Sequence, residues 1–434
     1  MKLFRWKGFR IRKRHKGAPA RFVFYLMLPV LAVTGFLEYM MISQGQTSPI
    51  ILGSTMFSGF ILSGIVAYLL LYFPLYNYYK RLLHKRKLAK MIISRRLFVE
   101  VAKTGKNAKG KKTVYFPKIF YQHKKGYIYV RFPLDLGPFQ SKFNELAGEL
   151  EEAFYCDMLE AQREEDYICY KLLYDIEKKR MNIKDLEVKD YILELMQGVA
   201  WEINKTPHAL IAGGTGGGKT YFILSLLKAL IPLGALIDVC DPKKADLLDL
   251  GDLPFFKDHV FFGGGILSCL ATNVEEMNAR YEAMKASPNY KTGKNYAAFG
   301  FKPKFIVVDE WPAYYSSLDT KERKRAMQLL NQIILMGRQS GYFLILGMQR
   351  PDAKYIDGAL RDSFGLRVTL GKMSQQGYKM MFDSTIKSLF NKPIKGRGYA
   401  DVGTEQVQEF YSPFVDSDFD FMEEFAKYPE QEVA

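Results

Sequence analysis

Residues 208–220 read His-Ala-Leu-Ile-Ala-Gly-Gly-Thr-Gly-Gly-Gly-Lys-Thr. A short apolar run enters a glycine loop of the form GxxxxGKT, and an apolar helical pattern leaves it. Such a segment needs a strand to deliver the loop and a helix to carry it away. Gly213, Gly214, Gly216, Gly217 and Gly218, with Thr215 among them, leave backbone N–H groups free to close around phosphate oxygens. The helix beginning near Lys219 points its positive end at the same anion. Lys219 is expected to reach the β- and γ-phosphates and the Thr220 hydroxyl to hold Mg2+. The segment therefore predicts a site for ATP and Mg2+ rather than a flexible glycine linker.

Beyond that helix, strand-like and helix-like pieces alternate. Residues 235–240, 260–262, 305–309, 343–347 and 366–370 read as strands. This predicts an α/β P-loop NTPase domain with a mostly parallel sheet and helices on both faces. Phe305-Ile-Val-Val-Asp-Glu310 carries the second piece of chemistry. Four apolar residues in a row predict a fully buried strand, which delivers two carboxylates at its carboxyl end, the ligand edge of such sheets. Asp309 is expected to hold the magnesium shell and Glu310 to orient the attacking water. In Phe343-Leu-Ile-Leu-Gly-Met-Gln-Arg350, Gln349 ends a strand with a neutral hydrogen-bonding group suited to sensing the γ-phosphate or the water. Arg338, Arg350, Arg361 and Arg367 are candidates for an arginine supplied to a neighbouring subunit.

The net charge of +16 invites a nucleic-acid reading, but its placement weakens that inference. Residues 1–21 hold nine Lys and Arg and no acid; residues 22–73 hold only Glu38; residues 74–125 hold sixteen Lys and Arg against Glu100. The rest of the chain carries more acids than bases. Most positive charge thus flanks two apolar runs, residues 22–42 and 49–73, each long enough to cross a hydrocarbon core. The connector, residues 43–48, is short and uncharged. The positive-inside rule predicts a multi-pass protein of the cell membrane, a hairpin in the lipid bilayer with both termini cytoplasmic. Glu38 lies near the outer end and is expected to snorkel. Four scattered cysteines, with no CxxC pair, point to a reducing compartment and to packing roles.

Residues 103–112 form a basic loop that meets lipid or DNA phosphate, or simply solvent. Residues 113–121 and 126–134 alternate as a β-hairpin, and Phe143, Leu146, Leu150, Phe154 and Met158 recur at helical spacing. The expected organisation is a basic N-terminus (1–21), a transmembrane hairpin (22–73), a membrane-proximal linker with a small α+β domain (74–200), the motor (201–415) and an acidic tail (416–434). The tail either docks a partner or is simply solvated.

In order along the chain, Pro207-His208 before the glycine loop, Asp241-Pro242-Lys243, Asn278-Ala-Arg-Tyr-Glu-Ala-Met284, Val308-Asp-Glu310 and Gln349-Arg-Pro351 resemble the FtsK/SpoIIIE family of membrane-anchored DNA translocases. The resemblance covers roughly residues 126–402 and implies a RecA-like, homo-hexameric motor acting on DNA without sequence preference. It places Arg367 where the family's trans-acting arginine lies. Trp311 stands where the family usually has Phe. With two spans, a compact motor and no room for a winged-helix domain after about residue 415, the chain looks more like the TcpA-like coupling proteins of Gram-positive mobile elements. That implies a motor passing DNA and its relaxase to transfer-channel proteins. The rival expectations are a chromosome-partition or cell-division translocase, a protein-secretion ATPase, and a scaffold that binds ATP without turning it over.

Overall fold

The computed structural model describes residues 7–45, 48–102, 112–382, 389, 391, 394–404 and 406–431. The chain divides into two compact units, Met1–Tyr174 and Asp175–Ala434.

In the first unit, α1 (Ala18–Ser43) and α2 (Pro49–Tyr72) turn Phe24, Phe36, Leu37, Ile50, Phe57 and Phe60 outward. Both helices are long and apolar enough to cross a bilayer, and so much bare apolar surface fits a membrane anchor. They meet along a narrow seam. A Cβ at Gly59 would stand 2.4 Å from Thr34 Cγ2, so the approach requires glycine. Glu38 lies in the seam, buried, with Thr55 Oγ1 donating a hydrogen bond to it at 2.9 Å. The expected snorkelling is corrected: turned inward, the carboxyl keeps a hydroxyl partner that an outward rotamer among apolar neighbours would lose. Part of the connector, Gln46 and Thr47, lies outside the described residues, as do residues 103–111 of the basic loop.

Helix α3 (Tyr76–Ser94) is amphipathic. Arg81, Arg86, Lys87 and Lys90 face outward, while Leu88, Ala89 and Ile92 join a core with Val130, Phe132, Leu150 and Tyr170. That core lies on an antiparallel sheet of β1 (Phe9–Arg10), β2 (Phe120–Lys124), β3 (Tyr127–Pro133), β4 (Met158–Glu164) and β5 (Tyr167–Leu173), in the order β1-β2-β3-β5-β4. The hairpin turns at Lys125-Gly126, but its expected first strand is really two pieces. Lys112–Tyr115 pairs with Val99–Ala102, and only after Pro117 does β2 begin. The expected helix through Met158 is also corrected. Helix α4 (Ala147–Phe154) stops at Tyr155, whose φ of 55° is left-handed, and Met158 opens β4.

The second unit is built on an eight-stranded sheet: β6 (Ala209–Gly213), β7 (Leu236–Cys240), β8 (Val260–Phe261), β9 (Lys304–Val308), β10 (Tyr342–Met348), β11 (Leu366–Leu370), β12 (Arg397–Asp401) and β13 (Gln408–Tyr411), ordered β8-β7-β9-β10-β6-β11-β12-β13. The six strands from β8 to β11 are parallel; β12 and β13 add antiparallel at one edge. Alternate side chains bury opposite faces. Leu210, Ile306 and Leu344 pack against α6 (Gly265–Ala286), α7 (Trp311–Ser317) and α8 (Thr320–Ser340). On the other face Phe305 and Phe343 stack at 5.2 Å, and Phe222 of α5 (Lys219–Leu230) meets Phe410 at 5.5 Å.

Asp238 and Lys304 are charges buried inside this unit. Asp238 Oδ2 takes Lys304 Nζ at 2.9 Å and Asn273 Nδ2 at 2.7 Å, and Oδ1 lies 2.7 Å from His259 Nδ1. Burial works to raise its pKa, but His259, Lys304 and Asn273 outweigh burial and hold it below the usual carboxylate value. A depressed folded pKa stabilises above the unfolded value and loses that contribution as pH falls through the folded one, here below about pH 4. Asp238→Ala strands the buried Lys304 ammonium. A loss of about 3–5 kcal/mol is expected, read as a lower urea midpoint for this unit at pH 7, with the gap to wild type closing in acid. A midpoint unchanged at pH 7 would show that the network carries no stability.

The acidic tail is anchored through two buried aromatics, while Ser417, Asp418, Asp420 and Glu423 stay exposed. Helix α9 (Phe421–Phe425) buries Phe421 against Tyr221 at 5.9 Å and Phe425 against Phe256 at 5.6 Å. The Gln431 amide brackets Ile237 on β7, accepting from its N–H at 2.7 Å and donating to its C=O at 2.8 Å. The expectation of a simply solvated tail is thus corrected at Phe421 and Phe425, which turn into their own unit; residues 432–434 lie outside the described residues.

Candidate functional site

Strand β6 is buried along its length and delivers the glycine loop at the carboxyl edge of the sheet. The loop presses on the end of β11. A Cβ at Gly217 would stand 2.8 Å from Leu370 O, and Gly218 holds a φ of +97° at the N-cap of α5. A side chain at the first would collide with backbone, and one at the second would be strained. Lys219 and Thr220 then form the first turn of α5, Lys219 buried and Thr220 half-buried. Gly213 and Gly217 pack inward, whereas Thr215 and Gly216 are exposed and Gly214 and Gly218 half-exposed.

Two strands away, β9 ends at Val308 and hands on Asp309 and Glu310. Between β9 and β6 lies β10, whose Gly347 makes room: a Cβ there would stand 2.6 Å from Asp309 Oδ1. Glu310 adopts a left-handed φ of 60°, which turns the second carboxylate back toward the loop. Lys219 Nζ meets both carboxylates, donating to Asp309 Oδ1 and, at 3.1 Å, to Glu310 Oε2. Glu310 Oε1 accepts from the backbone N–H of Gln349 at 3.2 Å. Burial pushes the Asp309 carboxyl above its ordinary pKa, while the Lys219 ammonium opposes that rise.

The structure thus brings Lys219, Asp309 and Glu310 together, and reaches Gln349 through its backbone, its side chain standing exposed. Arg367 lies elsewhere. It faces Leu210 in register near the start of β6, three residues (about 10 Å) from the loop. Its guanidinium pairs with Asp401 at 2.8 Å and Asp362 at 3.4 Å. Arg361 donates to the carbonyls of Pro351 and Met380, Arg350 to Gln376, and Arg338 to the Asn204 carbonyl.

One member of the site had no assigned role in the sequence. Lys243 Nζ lies 3.4 Å from Glu310 Oε2. It extends from the loop after β7, where Asp241 accepts from the N–H groups of Lys243 at 3.0 Å and Ala245 at 2.7 Å. Its signal was position: β7 is the neighbour of β9, so the residues just past its carboxyl end stand beside Asp309 and Glu310.

A parallel sheet, a phosphate loop opening a helix, and paired carboxylates on an inner strand define a RecA-like P-loop NTPase. No family model matches the chain. The FtsK domain-containing protein YdcQ of Bacillus subtilis (strain 168) is 47% identical over 382 residues, covering 86% of this chain and 78% of that protein. The chain belongs to the FtsK/SpoIIIE-type ATPase family. The DNA translocase FtsK of Campylobacter jejuni (serotype O:2) is 28% identical over 228 residues, which span 49% of this chain and 23% of that protein. Among solved structures, the pCW3 conjugation coupling protein TcpA with ATPγS is 18% identical, with 70% of this chain and 90% of that one covered at a TM-score of 0.44. EssC of Geobacillus thermodenitrificans (ATPases 2 and 3) is 13% identical, covering 57% and 50% at a TM-score of 0.45.

Proposed function

We propose that this chain is a membrane-anchored, ATP-driven DNA translocase that works as a homo-hexamer and serves as the coupling protein of conjugative DNA transfer. The observation that carries the reading is the meeting of Lys219 with Asp309 and Glu310 at the end of the glycine loop. Membership of a family that contains DNA translocases supports the substrate. The two apolar helices ahead of a single motor support the coupling role, because they resemble the arrangement of TcpA-like proteins.

The residues fit the implied chemistry. The loop offers backbone N–H groups from Gly213, Gly214, Thr215, Gly216 and Gly218 to the phosphates, while the Gly217 N–H closes the loop on the Gly214 carbonyl at 2.9 Å. Lys219 stabilises the terminal phosphates. Thr220 and Asp309, one hydroxyl and one carboxylate, make the oxygen set that would hold Mg2+, which when bound neutralises charge on the phosphate oxygens. Glu310 orients and polarises the water, and Gln349 senses the terminal phosphate. Arg367 acts in trans, on a neighbouring subunit's nucleotide, as the resemblance to the family implies. The basic flanks of α1 and α3 hold both termini in the cytoplasm of a multi-pass cell-membrane protein. A relaxase and transfer-channel proteins complete the partners.

The test has two arms. With full-length protein in lipid nanodiscs, double-stranded DNA should accelerate phosphate release severalfold, and stimulation should fall as salt rises from 50 to about 200 mM. Stimulation by unfolded polypeptide instead would replace this reading with protein secretion. A phosphatase reporter that works only outside the cell should be silent at either terminus; activity at one end would overturn the topology.

A further inference from the structure

We propose that Lys243 is a positioning residue that restrains Glu310 until a nucleic-acid backbone phosphate draws it away. The inference rests on the ATPase reading above and names how DNA would reach that site.

Glu310 is nearly enclosed, its side chain 8% exposed, and both oxygens are engaged: Oε2 by Lys219 and Lys243, Oε1 by the Gln349 N–H. A carboxylate whose two oxygens already accept from protein donors is fixed in orientation and has little left to offer a water. The three donors differ in what can remove them. Lys219 answers to the nucleotide, because phosphate oxygens compete for the same ammonium. The Gln349 donor is main chain at the end of β10 and stays. Lys243 alone reaches outward: its side chain is 44% exposed, and residues 243–246 form an exposed stretch at the carboxyl edge of the sheet.

The backbone beneath Lys243 is fixed. Asp241, buried, ties the N–H groups of Lys243 and Ala245. Lys244 holds a left-handed φ of 51° with its Nζ 4.4 Å over the Phe262 ring. Motion is left to the Lys243 side chain. A polyanion arriving at this edge meets two adjacent lysines, and the half-exposed partner of Glu310 is the one able to change allegiance. Once it does, Glu310 keeps the Gln349 N–H on Oε1, and Oε2 is open to a water. Full turnover then needs both events, nucleotide capturing Lys219 and DNA capturing Lys243, and a low basal rate remains without DNA.

The experiment compares full-length wild type, Lys243→Gln and Lys243→Arg in nanodiscs, by steady-state phosphate release with and without double-stranded DNA. Lys243→Gln should raise basal kcat about threefold to tenfold, leave KM for ATP nearly unchanged, and lose its response to DNA. Lys243→Arg should restore the low basal rate and the DNA response. Overturning results are a Gln variant with wild-type basal rate and stimulation, or one whose kcat falls while its stimulation ratio is kept, which marks Lys243 as mere support. If wild type turns over ATP but ignores DNA, the translocase reading fails separately. The basal rate of Lys243→Gln then still decides the restraint on Glu310: raised upholds it, unchanged overturns it.

Discussion

Lys219→Ala is expected to lower ATP turnover by a factor of about 10^3 or more, while the protein still inserts in membranes. The lysine does two things that no neighbour replaces. It supplies the charge aimed at the terminal phosphates, and it separates two carboxylates that follow one another in the chain. Its removal leaves Asp309 and Glu310 facing each other with only Lys243 and one N–H to offset them. The Asp309 pKa, already raised by burial, then rises further, because Lys219 is what opposes the rise. A partly protonated Asp309 is a weaker magnesium ligand, so the loss should deepen as pH falls. Phosphate release measured against pH would show it. A variant retaining turnover within tenfold of wild type would remove the loop from the chemistry and the proposed function with it.

Glu310→Gln should separate binding from hydrolysis. Glutamine keeps the shape and the acceptor for the Gln349 N–H, and Lys219 keeps Asp309. Nucleotide affinity should therefore stay within a few-fold, measured with a fluorescent ATP analogue. Turnover should fall by a factor of about 10^2 to 10^3, since the group that polarises the water has lost its basicity. Turnover near the wild-type rate would assign the water to another residue.

How much of this was legible in advance depended on whether the signal was local. The glycine loop was, because Gly217 packs too close to Leu370 O for a Cβ and Gly218 holds a left-handed φ of +97°. Strand β9 was, because a strand buried on both faces needs an unbroken apolar run, and Phe305-Ile-Val-Val308 is one. Residues 113–158 misled the reading for the opposite reason. Helical spacing from Phe143 to Met158 is a sum over side chains and is blind to the left-handed turn at Tyr155, after which Met158 belongs to a strand. Alternation across 113–121 was likewise blind to Pro117, which divides the segment between two sheets. Glu38 was misread because its partner, Thr55, lies on the other helix.

From sequence alone came the two long apolar helices, the strand–loop–helix around Lys219 and the paired carboxylates, each written in consecutive residues whose local sterics and burial admit one outcome. Only tertiary structure decided the strand order that sets β9 two places from β6, the pinning of Arg367 by Asp401, the packing of the tail on β7, and the approach of Lys243 to Glu310. Those are contacts between residues far apart in the chain, and their energies depend on distances that no local spacing encodes.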